Sequence, residues 1–124
     1  MFLLTETNCS FMEILKKAVI SVNGKSAEVE AIIDTGAERT MINEEVLLRI
    51  GAISEKSIGI VTAGEYKDQK NVYGAAVEID GCRFPLWLIG GKKNIIGHDF
   101  LQMAKAVIDE STGEVKLTKN FIEM

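Results

Sequence analysis

Apolar and polar residues alternate over two neighbouring stretches in the first third of the chain. These stretches are 19–22 and 27–33, and the dipeptide Asn-Gly lies in the short gap between them. Asn-Gly supplies the two positive-φ positions that a type I′ turn requires. The alternation stops at Ile32-Ile33, where both faces become apolar, as expected of a strand that enters a core. The pattern therefore predicts a β-hairpin whose second strand ends inside the protein.

The remaining pattern predicts more short strands and two short helices. Asn43 is suited to cap a helix over 44–50, since two acidic residues follow it and Gly51 lies just past the end. The stretch 62–69 is polar and contains a glycine, and 11–15 fits either a helical turn or an edge strand. Further strands are predicted over 58–61, 72–79, 84–89 and 95–97, with Pro85 at an edge or a bulge, and Asp80-Gly81 is predicted to form a turn. A second helix is predicted over 98–103 and a last hairpin over 106–117. Such spacings are typical of an all-β barrel or sandwich.

Length and composition predict one domain spanning residues 1–124. The apolar fraction is 47% and the charged fraction is 26%, both ordinary for a globular protein. A chain of 124 residues supports one core but not two independent lobes. The 14 basic and 18 acidic residues are mixed along the sequence, for a net charge of -4. Because there is no block rich in Lys or Arg, we expect no nucleic-acid partner.

The cysteine and histidine content argues against a disulfide framework and against a metal site. Cys9, Cys82 and His98 are too few for a tetrahedral zinc site unless carboxylates join them. We also find no secretory signal and no apolar run of membrane-spanning length. The expectation is a cytoplasmic protein with no membrane partner, no metal and no cofactor.

The candidate chemistry begins where the second predicted strand ends, at Asp34-Thr35-Gly36. A carboxylate beside an apolar strand is costly to bury unless it is hydrogen-bonded or shares a proton. Gly36 permits a tight turn whose backbone N–H approaches the carboxylate, and the Thr35 hydroxyl can bond to a neighbouring segment. Taken alone, these three residues favour an Asx-turn over a catalytic site.

A second segment changes this interpretation. Asn94-Ile95-Ile96-Gly97-His98-Asp99-Phe100-Leu101 predicts a strand, a glycine and a helix start. With the earlier run, and with Ala37 after Gly36, the sequence resembles the retroviral-type (retropepsin-like) aspartic proteases and their cellular and prokaryotic relatives. That family pairs an apolar-apolar-Asp-Thr/Ser-Gly-Ala loop with a later apolar-apolar-Gly segment and places a flap between them. The resemblance covers about residues 19–101.

The resemblance implies an all-β fold, a closed or partly open barrel of the retropepsin-like type with one or two short helices. It implies that Asp34 is the catalytic aspartate, that the Thr35 hydroxyl locks two active-site loops together, and that Gly36 is the backbone donor beside the carboxylate. The other implied site residues are Ala37 in the same loop, Ile96 and Gly97 packed beneath it, Ile95 with the 84–89 strand in the substrate groove, and Thr62, Ala63, Gly64 and Glu65 in a flap around 62–71.

The implied function is an aspartic endopeptidase that activates water with two aspartates. One Asp-Thr-Gly in a chain too short for two lobes implies a C2 homodimer with Asp34 from each copy at its centre. The substrate would be an extended peptide or protein segment. The alternative is a catalytically silent module of the same fold that binds peptides or dimerises.

The chain departs from the viral pattern in three places. Residues 1–17 are assigned to an N-terminal extension and 106–124 to a C-terminal hairpin and tail. Because of this hairpin, the viral pattern does not predict how the dimer interface is built. The region expected to form the flap contains few glycines. A pairing of Glu38 with His98 is possible, and it would depend on pH because histidine loses its charge near neutrality.

Overall fold

The computed structural model describes residues 13–61, 67–109 and 111–118. Within these residues the chain forms nine strands and two short helices. In chain order they are β1 Ile14–Val22, β2 Lys25–Ile33, β3 Met41–Asn43, α1 Glu44–Arg49, β4 Ser54–Val61, β5 Lys67–Ile79, β6 Cys82–Gly91, β7 Ile95–Ile96, α2 His98–Met103, β8 Val107–Asp109 and β9 Glu114–Lys116. The all-β prediction is confirmed.

The strands pair in a ring. The order in the larger sheet is β1-β2-β7-β3-β6-β5-β4, and a further pairing of β1 with β5 closes six of these strands on themselves. β4 pairs only with β5 among the described strands, and β8 and β9 form a separate two-stranded sheet. β2 and β7 run parallel, with Ile32 opposite Ile95 and Ile33 opposite Ile96. This pairing brings together the two segments that carry the sequence motifs.

The predicted turns are present. Asn23 and Gly24 have φ angles of 49° and 84°, so both central residues of the first hairpin adopt the left-handed conformation that a type I′ turn requires. Asp80 and Gly81 repeat these values, at 52° and 84°, between β5 and β6. Pro85 faces Ala76 of β5, whereas β3 pairs with β6 only from residue 89 onward. The prediction of an edge position for Pro85 is therefore confirmed.

The helix predictions are confirmed as well. The Asn43 side chain accepts a hydrogen bond from the Glu45 N–H at 2.9 Å, which satisfies one of the donors left free in the first turn of α1. Gly51 follows the helix with a φ angle of 85°. The helix α2 begins at His98, as the sequence predicts.

The polar stretch after β4 was only partly predicted. Residues 67–69, which the pattern marked only as polar, form the start of β5, where Val61 pairs with Lys67. The pattern does not mark this part of the strand, because residues 67–69 are all polar and show no apolar alternation. Residues 62–66, which include the predicted flap residues, lie outside the described residues. Ile14 and Leu15 belong to β1, so the edge-strand alternative holds for the part of 11–15 that is described.

The core fills the inside of the ring. Its largest fully buried side chains include Phe84 of β6 and Phe100 of α2, whose rings meet edge to face with centroids 5.6 Å apart. Ile20 and Val77, from the paired strands β1 and β5, and Ile96 of β7 are also fully buried. Burial of such side chains, each contributing about 1.5–3 kcal/mol, holds α2 and β7 against the sheet. The core thereby fixes where the residue after β2 emerges.

Candidate active site

Asp34 lies directly after β2, at the start of a tight turn. Its backbone N–H donates to the Ile96 carbonyl at 3.0 Å, which continues the β2–β7 pairing by one residue. The Gly36 N–H donates to the Asp34 Oδ1 at 2.9 Å, and the Ala37 N–H donates to the Asp34 carbonyl at 3.1 Å. The Asp34 side chain is exposed. The turn thus holds a carboxylate at the surface on a backbone that is fixed on both sides.

Gly97 lies against the backbone of this loop. A Cβ at this position would lie 2.6 Å from the Arg39 carbonyl oxygen and 2.9 Å from that of Ala37, both closer than such atoms can approach. The residue is buried and its φ angle is -101°, so the requirement for glycine comes from space and not from backbone conformation. The sequence prediction that Gly97 permits a close approach beneath the loop agrees with this geometry.

Thr40 and Asp99 join the loop to α2. The Thr40 hydroxyl donates to the Asp99 Oδ1 at 2.7 Å and accepts from the Gly97 N–H at 3.0 Å. The Thr40 N–H donates to the Asp99 Oδ2 at 3.0 Å, and the Phe100 N–H donates to the Asp99 Oδ1 at 2.7 Å. Thr40 is fully buried. Hydrogen bonds to a carboxylate are stronger than those between neutral groups, so this network holds the loop after Asp34 firmly against the start of α2.

The Thr40–Asp99 network was missed by the sequence analysis. Asp99 was placed at the predicted start of a helix and was assigned no role. Its three hydrogen bonds from Thr40 and Phe100 show a carboxylate that organises the backbone. The signal available in the sequence was Thr40, which directly precedes the apolar residues Met41 and Ile42. A threonine in such a place is expected to be buried, and a buried hydroxyl needs a polar partner.

Two backbone hydrogen bonds complete the connection between the loop and the start of α2. The His98 N–H donates to the Ala37 carbonyl at 2.7 Å, and the Asp99 N–H donates to the Glu38 carbonyl at 3.2 Å. The side chains of Glu38 and His98 are both exposed, and across the described part of the chain no ion pair joins them. The pairing considered for these two side chains is not formed, because the backbone makes the contact instead.

An open concavity of about 600 Å³ lies beside Thr35. Its lining includes His98 and Leu101 of α2 and Ile108 of β8. Thr35 itself is exposed, and its hydroxyl has no hydrogen-bond partner among the residues described. Val107 of β8 is not part of this lining, and it exposes 61% of its surface. The predicted role of Thr35 between two loops stays a prediction, and an apolar surface lies beside it.

The groove predicted along β6 contains a large exposed aromatic side chain. Trp87 lies in the 84–89 strand that the resemblance assigns to the groove; it is 52% exposed and is therefore not a core residue. Ile95, also predicted for the groove, is half-buried at the β2–β7 pairing. The predicted flap residues Thr62, Ala63, Gly64 and Glu65 lie outside the described ranges.

A second polar cluster connects α1 to β5. The Glu44 Oε2 accepts hydrogen bonds from the Tyr73 hydroxyl at 2.6 Å and the Asn71 amide at 2.9 Å. These bonds, the one from Tyr73 above all, hold the pKa of the Glu44 carboxyl below its ordinary value. Burial, reinforced by the hydrogen bond to Glu44, raises the pKa of Tyr73. Gly90 leaves room for this cluster, since a Cβ there would lie 2.7 Å from the Tyr73 ring.

Two other kinds of site were sought in the described part of the chain. Among these residues, no three His, Cys, Asp or Glu side chains come together in a way that could hold a metal ion. No helix within the same ranges has the length and apolar character needed to cross a membrane.

Comparisons with known proteins identify the family. The family model described as gag-polyprotein putative aspartyl protease matches residues 18–103. Among solved structures, the EIAV protease complexed with the inhibitor HBY-793 is 15% identical, with a TM-score of 0.59, over 80% of this chain and 94% of that chain. The retroviral protease-like domain of Ddi1 from Leishmania major is 19% identical, with a TM-score of 0.55, over 83% of this chain and 87% of that chain. No curated protein matches the sequence.

The matched region contains both motifs, from β1 through α2. At these identities the structural likenesses show the fold, and the family model covers more than half of the sequence. The chain therefore belongs to the gag-polyprotein putative aspartyl protease family, and its membership of the retropepsin-like aspartic proteases, predicted from the sequence, is confirmed.

Proposed function

We propose that the protein is an aspartic endopeptidase whose catalytic pair consists of Asp34 from each of two identical chains. The observation that carries the proposal is the difference in hydrogen bonding between the carboxylates of Asp34 and Asp99. The Asp99 carboxylate accepts hydrogen bonds from the hydroxyl and N–H of Thr40 and from the Phe100 N–H. Asp34 is exposed, and Gly36 is its one side-chain hydrogen-bond partner in the described structure. A carboxylate that is rigidly placed but left accessible is suited to chemistry.

The chemistry follows from placing two such carboxylates close together. When two carboxyl groups lie about 3 Å apart they cannot both ionise, so the pair shares one proton. The ionised group takes a proton from water, which attacks the peptide carbonyl, and the protonated group donates to the carbonyl oxygen. The carboxyl that received the proton of water then protonates the leaving nitrogen as the C–N bond breaks, and a hydroxyl of the diol returns its proton to the other carboxylate, so that the pair again shares one proton. Gly36 would hold the carboxylate orientation through its N–H.

The second chain is required because one copy supplies a single aspartate of this kind. The concavity beside Thr35 lies next to the loop that must meet its partner, and Leu101, Ala106 and Ile108 give it apolar surface. Exposed apolar surface of this sort favours an interaction site. A twofold axis near Asp34 would bring the two loops and the two β8 strands towards each other.

The test of catalysis uses a diverse peptide mixture at several pH values, with new termini mapped by mass spectrometry. Wild type should cleave, and Asp34→Asn should not. Asp80→Asn is the matched control, because Asp80 is an exposed aspartate in the β5–β6 turn whose carboxylate pairs with Lys16. Cleavage that persists in Asp34→Asn would refute the assignment. Peptide binding without cleavage by wild type would favour the silent binding module instead.

The test of the shared pair measures mass in solution by analytical ultracentrifugation over a concentration series. A dimer at the concentrations that give activity is expected, and specific activity should fall as dilution separates the chains. An active protein that remains strictly monomeric would contradict the shared pair of aspartates.

A further inference from the structure

The concavity beside Thr35 has a positively charged lining in a chain that is acidic overall. Its other polar lining residues are His98, Gln102 and Lys105, and no acidic side chain of the described residues contributes to it. The chain as a whole has 18 acidic and 14 basic residues. Among the described residues, no carboxylate lies within ion-pair distance of the Lys105 ammonium. Because the rest of the lining is apolar, the concavity suits a ligand that carries both apolar groups and an acid.

Lys105 lies directly after α2, in a position where glycine is usual. The Lys105 N–H donates to the Gln102 carbonyl at 3.2 Å. The Ala106 N–H donates to the Leu101 carbonyl at 3.0 Å, and the two bonds together are the pattern of a Schellman motif. The residue after the helix cap adopts the left-handed conformation in this motif, and Lys105 has a φ angle of 52°. Glycine adopts that conformation more readily than lysine does, so the turn itself does not explain a cation at this place.

Thr118, the last described residue, is bonded to the same turn. Its N–H donates to the Ala104 carbonyl at 3.0 Å, and its hydroxyl donates to the Lys105 carbonyl at 2.9 Å. The chain therefore leaves the described structure beside Lys105, at the edge of the concavity. Residues 119–124, with the sequence Lys-Asn-Phe-Ile-Glu-Met, lie outside the described ranges. Six extended residues span at most about 20 Å, which is long enough to cross a concavity of about 600 Å³.

We propose that residues 119–124 bind in the concavity of their own chain. The chemistry of the two matches, because Glu123 supplies a carboxylate for the Lys105 ammonium. Phe121 and Ile122 supply apolar groups for the apolar part of the lining. A second copy of the chain is the rival occupant. A segment tethered at the edge of its site is present at an effective concentration of about 1 mM, so the tether favours the chain's own segment over a free copy.

Binding at this place would regulate the paired active site, and this consequence rests on the proposed function. The concavity lies next to the loop that must meet its partner, so a segment bound there would cover surface that a second chain needs. The segment and the partner would then compete for the same surface. Asp34 would stay single while the segment is bound, and each chain would release its own segment before it dimerises.

The experiment compares the wild-type chain with a released chain, which is the full-length protein carrying Phe121→Ser and Ile122→Ser. The probe is a peptide of the sequence 119–124 with both ends blocked, and its binding to labelled protein at low concentration is followed by thermophoresis. If the peptide binds the released chain with a Kd of about 0.1 mM, it should bind wild type about tenfold more weakly, because the tethered segment competes at about 1 mM. In ultracentrifugation the released chain should form the dimer about a hundredfold more strongly, because both copies of wild type must release a segment.

Substitutions of Lys105 in the released chain test the predicted contact. Lys105→Gly suits the left-handed turn and removes the cation, so it should keep the fold and weaken peptide binding about threefold, the range for an exposed ion pair. Lys105→Glu should weaken binding about tenfold, since repulsion replaces attraction, and a peptide carrying Glu123→Lys should recover binding to that variant. Lys25→Glu is the matched control, because Lys25 is exposed in the β1–β2 hairpin and does not line the concavity. Circular dichroism checks that each variant is folded.

The outcomes are distinct from those of the catalytic test. If the peptide binds according to the charge at position 105 but wild type cleaves nothing, the bound segment stands and the proposed function fails. If the peptide does not bind the released chain, or if Lys105→Glu and Lys25→Glu weaken binding equally, the bound segment is overturned whatever the catalytic result. A released chain that dimerises more weakly than wild type would also overturn it, because residues 119–124 would then contact the partner instead of their own chain.

Discussion

Substitution of Thr40 by valine tests whether the hydroxyl network supports the site. Valine keeps the shape of threonine and replaces the hydroxyl by a methyl group. In the folded protein the Thr40 hydroxyl donates to the Asp99 carboxylate at 2.7 Å and accepts from the Gly97 N–H at 3.0 Å. The variant would lose both bonds and leave the Gly97 N–H buried without this acceptor.

The magnitude follows from these two bonds. A hydrogen bond to a charged group contributes about 1.5–3 kcal/mol, and a buried donor left without a partner costs about 1–3 kcal/mol. Thr40→Val should therefore lower the free energy of unfolding by about 3–5 kcal/mol. This loss is large against a total stability of about 5–15 kcal/mol. With a urea m-value of about 1–3 kcal/mol per M, it corresponds to a midpoint lower by roughly 2 M.

The assay is urea unfolding followed by circular dichroism, with two comparison variants. Thr40→Ser keeps the hydroxyl and should cost about 1 kcal/mol for the lost methyl group. Thr112→Val removes an exposed hydroxyl that accepts from the Glu114 N–H at 3.3 Å, and it should change stability by less than about 0.5 kcal/mol. If Thr40→Val costs no more than Thr40→Ser, the network does not support the site and the reasoning is refuted.

Four further predictions concern packing, pH and assembly. Gly97→Ala should destabilise by about 1–3 kcal/mol in urea unfolding, because its Cβ would lie 2.6 Å from the Arg39 carbonyl oxygen; an unchanged midpoint would contradict the contact. Because the pKa of Glu44 is lowered on folding, its contribution to stability is present at neutral pH and is lost as pH falls through that lowered value; unfolding measured from about pH 6 to 3 should show a smaller loss for Glu44→Gln than for wild type. The pKa of Tyr73 is raised on folding, so its contribution to stability is present below the ordinary pKa of tyrosine and is lost as pH rises through the raised value. Tyr73→Phe should therefore lose less stability at alkaline pH than wild type. Val107→Asp should shift the mass in ultracentrifugation towards monomer with unchanged circular dichroism, and a dimer of undiminished strength would place the interface elsewhere.

Local signals in the sequence predicted much of the fold. Asn23-Gly24 and the cap at Asn43 depend on residues within a few positions, so the turn and the start of α1 could be identified without tertiary information. The start of β5 could not, because Lys67 to Lys70 show no apolar alternation and the strand is defined by its pairing with β4. The ring of strands was implied by the family resemblance and not by the pattern itself.

The candidate site was predicted in part. Asp34, Gly36 and Gly97 were identified because their motif places them, and the geometry around each agrees with the predicted arrangement. The bond between Thr40 and Asp99 was not foreseen, since it joins residues 59 positions apart. Catalysis by Asp34, the flap and the cytoplasmic location stay predictions.

That separation of 59 positions has a consequence for the order of folding. Contacts between residues far apart in sequence form slowly, because the intervening chain must be closed into a loop first. The β1–β2 hairpin is local and can form early. The end of β2 can pair with β7, and contact α2, only after the segment between β2 and β7 has been synthesised and folded. During synthesis, Asp34 therefore leaves the ribosome well before Asp99 exists to organise its loop. We expect the nascent chain to carry its aspartate in an unorganised turn, and thus to acquire the arrangement needed for hydrolysis only after α2 has been added.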